Sequence, residues 1–426
     1  MTASSLEEAL TAAQAGADYL GLGTVYATPT KANSKSIIGT SGVRHILGQL
    51  HEKGFSAVST VCIGGVNSSN LQRVLLQASH LSKPLNGVAV VSAIMAAEDP
   101  EATSANLLNL VRSPAPFHSR NIAALSSRTS TELPSAPADL LKLIVPLFAA
   151  LAEAKPLCHN MTNLVVQNFA ANIALALGGS PIMAQSGGEA ADLAKLGGSL
   201  LLNQGSVTPE SLANSVVATK AYNSVGGAIV FDPVGAGATA ARRAAVKSML
   251  GQSYFSVIKG NESEILTVLG EQVIIQHGVD SASGSGLTTE DKARVVKKLA
   301  TRERCVILMT GKVDVLSDGK RTYAISNGDA MLGEVTGTGC TLGTTIGAFA
   351  AVEKRRDKEG KGGDMLLATL AACIVFEIAA ERAAKKVNGP GGFVPMFIDE
   401  IYGLRKNLAK GYTGFVDAAK VELIDV

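Results

Sequence analysis

Glu334-Val335-Thr336-Gly337-Thr338-Gly339-Cys340 runs directly into the small-residue stretch Thr341-Leu342-Gly343-Thr344-Thr345-Ile346-Gly347-Ala348-Phe349. Two glycines around a threonine at the start of a helix aim several unpaired backbone N–H groups at one point, together with the positive end of the helix dipole. An anion belongs at that point, and a phosphoryl group in transit fits it best. Glycine also opens helices for packing reasons alone, so the motif needs support from elsewhere in the chain.

Three other stretches supply it. Asp232-Pro233-Val234-Gly235-Ala236-Gly237 follows the apolar run Ala228-Ile229-Val230-Phe231, placing a carboxylate at the end of a strand and the head of a glycine-rich loop. Lys259-Gly260-Asn261-Glu262-Ser263-Glu264 follows Phe255-Ser256-Val257-Ile258, and Thr310-Gly311-Lys312 follows Val306-Ile307-Leu308-Met309. A lone strand-end Asp is as often a helix N-cap. Four polar loops at the ends of neighbouring parallel strands are harder to explain that way, because α/β folds bind ligands at that edge.

Such loops need a sheet to hold them. The chain has 426 residues, 46% apolar and only 17% charged, with few aromatics, no Trp and abundant Gly. That length suggests two domains, and the composition suits α/β architecture, in which small residues let helices lie close on a sheet. A net charge of +2 with scattered basic residues gives no electrostatic footprint for nucleic acid. The basic run Lys354-Arg355-Arg356 reads as part of a solvated loop ending at Gly362-Gly363. Five dispersed cysteines lack metal spacing and fit a reducing compartment. No apolar run is long enough to span a bilayer, and Ser5-Leu6-Glu7-Glu8 resembles a capping box rather than a leader, so a cytoplasmic protein is expected.

Residues 1–112 alternate helix and strand, with strands expected at 19–23, 59–63 and 88–91, making three βα units. Three strands can neither close a barrel nor protect both edges. Residues 113–139, rich in Ser, Thr, Pro and Ala, read as a linker. Residues 140–426 form a second α/β block, with a hairpin signalled by Asp318-Gly319 and a surface insertion expected over 276–289.

Residues 143–426 resemble hydroxyethylthiazole kinase of the ribokinase-like superfamily. The resemblance rests on His159-Asn160-Met161-Thr162-Asn163, Ser180-Pro181-Ile182-Met183-Ala184, the Asp232 loop, the Asn261/Glu264 loop and Gly337-Thr338-Gly339-Cys340. It implies a mostly parallel sheet with flanking helices, and ATP-dependent phosphorylation of 4-methyl-5-(2-hydroxyethyl)thiazole in thiamine biosynthesis or salvage. The amides of Gly337, Thr338, Gly339 and Cys340 would cradle the migrating phosphoryl group. Asp232 and Glu264 would hold Mg²⁺ through waters, and Asn261 would orient that shell. Lys259 and Thr310 would bind ATP, Lys259 standing where relatives usually carry Arg and so lacking the bidentate fork. Met183, Gly337 and Asn163 would bind the thiazole alcohol, Met183 as a thioether against the sulfur ring. Cys340 keeps two roles open, a thiolate base favoured by the helix terminus or a residue that merely fits a tight helix start.

Residues 1–112 resemble the C-terminal part of thiamine-phosphate synthase, a TIM barrel, through Gly16-Ala17-Asp18-Tyr19, Thr28-Pro29-Thr30-Lys31, Ile63-Gly64-Gly65-Val66 and Val90-Val91-Ser92-Ala93-Ile94. In that family Thr28, Thr30, Gly65, Val91 and Ser92 would hold the phosphate of thiazole phosphate, and Lys31 the pyrophosphate of the pyrimidine substrate. The block corresponds to barrel strands 6–8. The Mg²⁺-binding half of such a site is not among them, so a truncated or misread form of the fungal bifunctional enzyme, without synthase activity, is expected. The resemblance also implies homo-oligomers, trimers or multiples of them, with sites at subunit interfaces. Two alternatives remain, another ribokinase-like small-alcohol kinase or a non-catalytic assembly or regulatory relic.

Overall fold

Runs such as Leu200-Leu201-Leu202 are apolar at every position, which is the mark of a strand buried on both faces. Their side chains divide accordingly. Leu201, Val230, Val257, Val306 and Leu308 enter one core, while Leu200, Leu202, Ile229, Phe231, Ile258, Ile307 and Met309 enter another. Helices supply the other half of each core. Pro137–Ala154, Gln167–Leu177, Thr338–Lys358, Met365–Ala384 and Pro390–Ala409 cover one face. Pro209–Ser224, Ala240–Gln252, Glu262–Leu269 and Thr289–Glu303 cover the other.

The computed structural model describes residues 1–28, 37–117, 134–270 and 287–426. These divide into two compact units, one of residues 1–117 and one of nearly all of 134–426. Most of the expected linker, and the expected insertion up to residue 286, lie outside the described residues. The end of the linker is already part of the second unit: Arg321 donates to the Pro134 carbonyl at 3.1 Å and Tyr323 to that of Ser135 at 2.6 Å.

Among the described residues the second unit has a nine-stranded sheet. From one edge its strands are Ser180–Ile182, Leu157–Met161, Ser199–Asn203, Ala228–Asp232, Val257–Asn261 and Val306–Thr310, all parallel. Asp314–Ser317, Thr322–Ile325 and Val421–Leu423 then extend it antiparallel. The expected mostly parallel sheet with flanking helices is present, and the Asp318-Gly319 hairpin with it. The strand Leu157–Met161 is unexpected, because His159 and Asn160 interrupt its apolar pattern.

The helix Thr338–Lys358 lies unusually close to the sheet. A Cβ on Gly343 would meet Leu201 Cδ1 at 2.8 Å, and one on Gly347 would meet Ser199 Oγ at 2.8 Å. This helix also corrects one expectation, since Lys354-Arg355-Arg356 are its last turns and not a loop. Lys354 is buried, Arg355 reaches Glu359 at 3.1 Å, and Arg356 reaches Glu353 Oε1 at 3.2 Å. Glu353 Oε2 in turn accepts the Asp364 N–H at 2.7 Å, closing the turn into the next helix.

Burial pushes the Glu353 carboxyl up to about 7, against the pull of the Asp364 N–H and Arg356. Between about 4.5 and 7 the folded state therefore binds more protons than the unfolded, so this group makes stability fall as pH rises through that window. Glu353→Gln is expected to flatten the fall. Urea titrations at pH 5 and 7.5 should show the wild type losing on the order of 3 kcal/mol relative to the variant. Parallel curves for the two proteins would refute the assignment.

The first unit holds the three expected strands as Tyr19–Leu22, Ser59–Ile63 and Gly87–Ala89. A fourth, Thr2–Ala3, pairs in parallel with the first of them, so among the described residues the sheet has four strands and not three. Two residues are too few to carry a pattern. Leu20, Leu22 and Cys62 face Val43, Ile46, Leu47, Leu71 and Val74 from the helices Gly39–Glu52 and Leu71–Ala78. Ser5 caps the helix Leu6–Gln14 through the Glu8 N–H at 3.2 Å, as its motif suggests. No helix among the described residues is long and apolar enough to cross a membrane.

Candidate active site

The parallel strands change character at their last residue. Leu202 gives way to Asn203, Phe231 to Asp232, Gly260 to Asn261 and Met309 to Thr310, while Met161 is followed by Thr162 and Asn163. All these ends lie on one edge of the sheet. The helix Thr338–Lys358 opens at the same edge, because Asn163 Nδ2 lies 3.8 Å from Cys340 Sγ.

Asp232 is fully buried and sits at the centre. Its Oδ2 accepts from Asn203 Nδ2 at 2.8 Å, and its Oδ1 faces Lys259 Nζ at 2.9 Å. The lysine side chain is only 4% exposed. Burial works against the Lys259 charge, but Asp232, Cys340 and Glu264 outweigh it and hold the ammonium proton more tightly than usual. Asn203 Oδ1 accepts from Asn163 Nδ2 at 3.0 Å, so an unbroken polar chain runs Cys340–Asn163–Asn203–Asp232–Lys259.

Asn261 and Glu264 form a reciprocal capping box. Asn261 Oδ1 accepts the Glu264 N–H at 3.0 Å, and Glu264 Oε2 accepts the Asn261 N–H at 2.8 Å. Glu264 Oε1 takes the Gly235 N–H at 2.8 Å, which ties the Asp232 loop to this one. Burial and the nearby Asp232 push the Glu264 carboxyl up to about 7, with Lys259 and the two N–H donors pulling the other way. As a divalent-cation site the set is chemically suitable. Asp232 Oδ1 is buried with no hydrogen bond among the described residues beyond the Lys259 ion pair, and each Glu264 oxygen keeps a second lone pair for the water shell of a hard cation. Thr310 pairs in register with Asn261, which places it at the same edge.

Gly337 is the N-cap of the helix Thr338–Lys358 and has φ +90°. The Thr338 hydroxyl turns back to the Leu332 and Val335 carbonyls, at 2.7 and 3.2 Å, so only its amide is offered forward. Thr338, Gly339 and Cys340 are first-turn residues whose N–H groups have no acceptor within the helix. The surroundings of Cys340 bear on its two open roles. Burial, followed by the negative charge of Asp232, pushes its thiol up to about 11, despite Lys259 and Asn203 acting in the opposite sense.

The His159–Asn163 motif divides between support and site. His159 is buried, its Nε2 2.9 Å from the Ala184 carbonyl, and burial holds its pKa below the usual value. Asn160 accepts from the Thr344 hydroxyl at 2.7 Å and so pins the strand Leu157–Met161 to the glycine-led helix. Asn163 lines a cavity of about 300 Å³ together with Met161, Thr162, Gln185, Asn203 and Gln204. Thr162 Oγ1 and Gln204 Oε1 are buried there without hydrogen-bond partners, as polar atoms awaiting a ligand are. Met183 is half-buried and does not line that cavity. Asn203 and Gln204 are the residues sequence reasoning missed, although a polar Asn ending the run Leu200-Leu201-Leu202 was the same signal as Asp232.

A second acidic group lies deeper. Ligand atoms of Asp314, Cys373 and Glu377 fall within 4.8 Å of one another. Burial holds Glu377 well above the usual carboxyl range and Asp314 up to about 6. All five cysteines are free.

In the first unit, Tyr26 N–H donates to the Gly64 carbonyl at 3.0 Å, bringing the segment before Thr28 against the Gly64-Gly65 turn. Val91 and Ser92 follow the strand Gly87–Ala89 and are exposed. Thr30 and Lys31 lie outside the described residues.

The family model for the hydroxyethylthiazole kinase family matches residues 148–407, and that for thiamine monophosphate synthase matches residues 1–94. A probable thiamine biosynthetic bifunctional enzyme of Schizosaccharomyces pombe is 38% identical, over 99% of this chain and 78% of its own. A hydroxyethylthiazole kinase structure from Pyrococcus horikoshii OT3 is 35% identical with a TM-score of 0.56, over 67% of this chain and 100% of that one. A thiamine phosphate pyrophosphorylase structure from Pyrococcus furiosus is 36% identical with a TM-score of 0.21; the match covers 26% of this chain and 46% of that one.

Proposed function

The chain belongs to the hydroxyethylthiazole kinase family and to thiamine biosynthesis, and from that premise we propose that it transfers the terminal phosphoryl group of ATP to the hydroxyl of hydroxyethylthiazole. The alcohol oxygen forms the new P–O bond, the bond to the bridging oxygen of ADP breaks, and the alcohol proton passes to solvent. What carries this reading is the polar chain from Cys340 to Lys259 beside the Gly337 turn. It sets a cation, a carboxylate and a row of amides around one point.

Phosphoryl transfer runs through a loose transition state, so positioning and charge neutralisation outweigh covalent help. The amides of Thr338, Gly339 and Cys340 receive the equatorial oxygens of the migrating group. Lys259, Asn261 and Thr310 face the nucleotide phosphates. Asp232 and Glu264 would hold Mg²⁺ through waters, which when bound neutralises phosphate charge. Asn163 and the partnerless Thr162 and Gln204 atoms take the polar edge of the alcohol, with Met183 contributing from the neighbouring strand end.

The test is ATP consumption with hydroxyethylthiazole, pyridoxal and a pyrimidine alcohol as acceptors. Turnover with the thiazole alcohol well above the others is expected. Preference for another acceptor would favour a different ribokinase-like kinase, and no turnover with any would favour a relic. In the first unit Thr28, Gly65, Val91 and Ser92 would hold the phosphate of the kinase product, the chemical reason for joining the two activities. Unpaired cysteines agree with a cytosolic setting.

Cys340→Ser is expected to cost less than about tenfold in kcat, because a thiol held near 11 is protonated at neutral pH and removing a true general base costs roughly 100-fold or more. A larger loss, with a pH–rate profile that titrates with the thiol, would restore the base role. Leu164 and Val165, 82% and 74% exposed beside Asn163, are the surface we assign to a second copy in a homo-oligomer. A monomer mass by light scattering would end that assignment.

A further inference from the structure

Arg242 lies in the first turn of the helix Ala240–Gln252 and belongs to none of the strand-end motifs. Its guanidinium nevertheless makes three hydrogen bonds to backbone carbonyls of two different loops. Nη1 donates to Gln204 at 2.7 Å and to Val234 at 2.8 Å, and Nη2 donates to Gly205 at 2.8 Å. Only a planar fork of fixed donors reaches three carbonyls in this way. The first loop carries Asn203 and Gln204, which wall the cavity beside Asn163. The second carries Asp232, and through the Gly235 N–H it is joined to Glu264. Arg243 makes a simpler contact, one bond to the Gly237 carbonyl at 2.8 Å.

We propose that Arg242 is a positioning residue that fixes the alcohol-side loop, 203–206, against the phosphate-side loop, 232–236, and so sets the alignment between acceptor and phosphoryl group. This deepens the kinase reading above and rests on it. The two loops meet directly through Asn203 Nδ2 on Asp232 Oδ2 and through the Gln204 N–H on the Asp232 carbonyl at 2.9 Å. Those contacts tie only the strand ends. Beyond them the guanidinium spans Gly205 and Val234. Loosening that span leaves each substrate its own contacts but misaligns the reacting atoms, a loss that falls on kcat rather than on ground-state binding.

The experiment compares wild type, Arg242→Met, Arg242→Lys and, as a control, Arg243→Met. Steady-state kinetics in both substrates would be combined with thermal melts and amide hydrogen exchange over both loops. For Arg242→Met a fall in kcat of roughly 10- to 100-fold is expected, with both KM values within about threefold. The lysine variant should lie between, since an ammonium reaches some of the carbonyls without the fork. Faster exchange should appear in 203–206 and 232–236 together, and in neither for Arg243→Met. A kcat per folded molecule equal to that of wild type would overturn the proposal, as would a loss accounted for wholly by a lower melting temperature. If the wild type itself fails to phosphorylate the thiazole alcohol, the kinase reading falls. The clamp is then judged by exchange alone, and unchanged protection of either loop in Arg242→Met would overturn it.

Discussion

Lys259→Met is expected to abolish measurable turnover and to destabilise the second unit by about 3–5 kcal/mol, the usual cost of stranding one member of a buried ion pair. Asp232 is fully buried, and its Oδ1 has no hydrogen-bond donor to replace the ammonium 2.9 Å away. Two losses are combined here, and a second substitution separates them. Asp232→Asn in the Lys259→Met background removes the stranded charge, so urea denaturation should recover most of the stability. Turnover should stay below about 1% of wild type, because neither the cation nor the carboxylate is present. If the double variant regained activity, the pair would be a structural device and the phosphate site would lie elsewhere. Lys259→Arg, which keeps the charge and adds a bidentate fork, should retain activity if the stem still fits beneath Gly343, whose hypothetical Cβ lies 3.7 Å from Lys259 Cδ.

Gly337→Ala should cost most of the turnover. The residue has φ +90°, where an L side chain costs about 1–3 kcal/mol, and the added Cβ would lie 2.4 Å from Val166 Cγ1. The turn must shift to relieve that overlap, and the amides of 338–340 shift with it. Losing one well-aimed donor typically costs about 100- to 1000-fold in turnover, and a fall of at least 100-fold is expected here. Val166→Ala added to Gly337→Ala removes the overlap but not the backbone strain. Melting temperature should then recover in part while kcat stays low. Wild-type turnover in the single variant would show that these amides do not receive the phosphoryl group.

Both predictions concern residues that were legible from type and order alone. An apolar strand ending in Asp232, or a Gly-Thr-Gly run before a small-residue helix, has only a few physical uses, and the parallel sheet followed from strands apolar at every position. Other features were hidden because their partners lie far along the chain. The spacing Asn261-Glu262-Ser263-Glu264 is that of a capping box and could have announced the cap, but the bond from Glu264 to the Gly235 N–H could not be read from spacing. Lys354-Arg355-Arg356 resembled a solvated loop because Asp364, which fixes Glu353 beneath the run, follows a glycine-rich stretch that breaks the helical pattern. Arg242 sits on a helix where any basic residue would look like surface charge. The sequence left two roles open for the Cys340 thiol, and burial beside Asp232, which opposes a thiolate, is seen only in coordinates.

The glycines that let the helix Thr338–Lys358 sink onto the strands have a consequence for motion. With Gly343 and Gly347 so near Leu201 and Ser199 that even a methyl would overlap them, this helix is seated tightly on the strands. Close packing of this kind resists tilting and sliding, which makes the amide cradle the firm side of the site. Any closure that expels water during a catalytic cycle has to be made by the loops opposite, and a search for hinges should begin there.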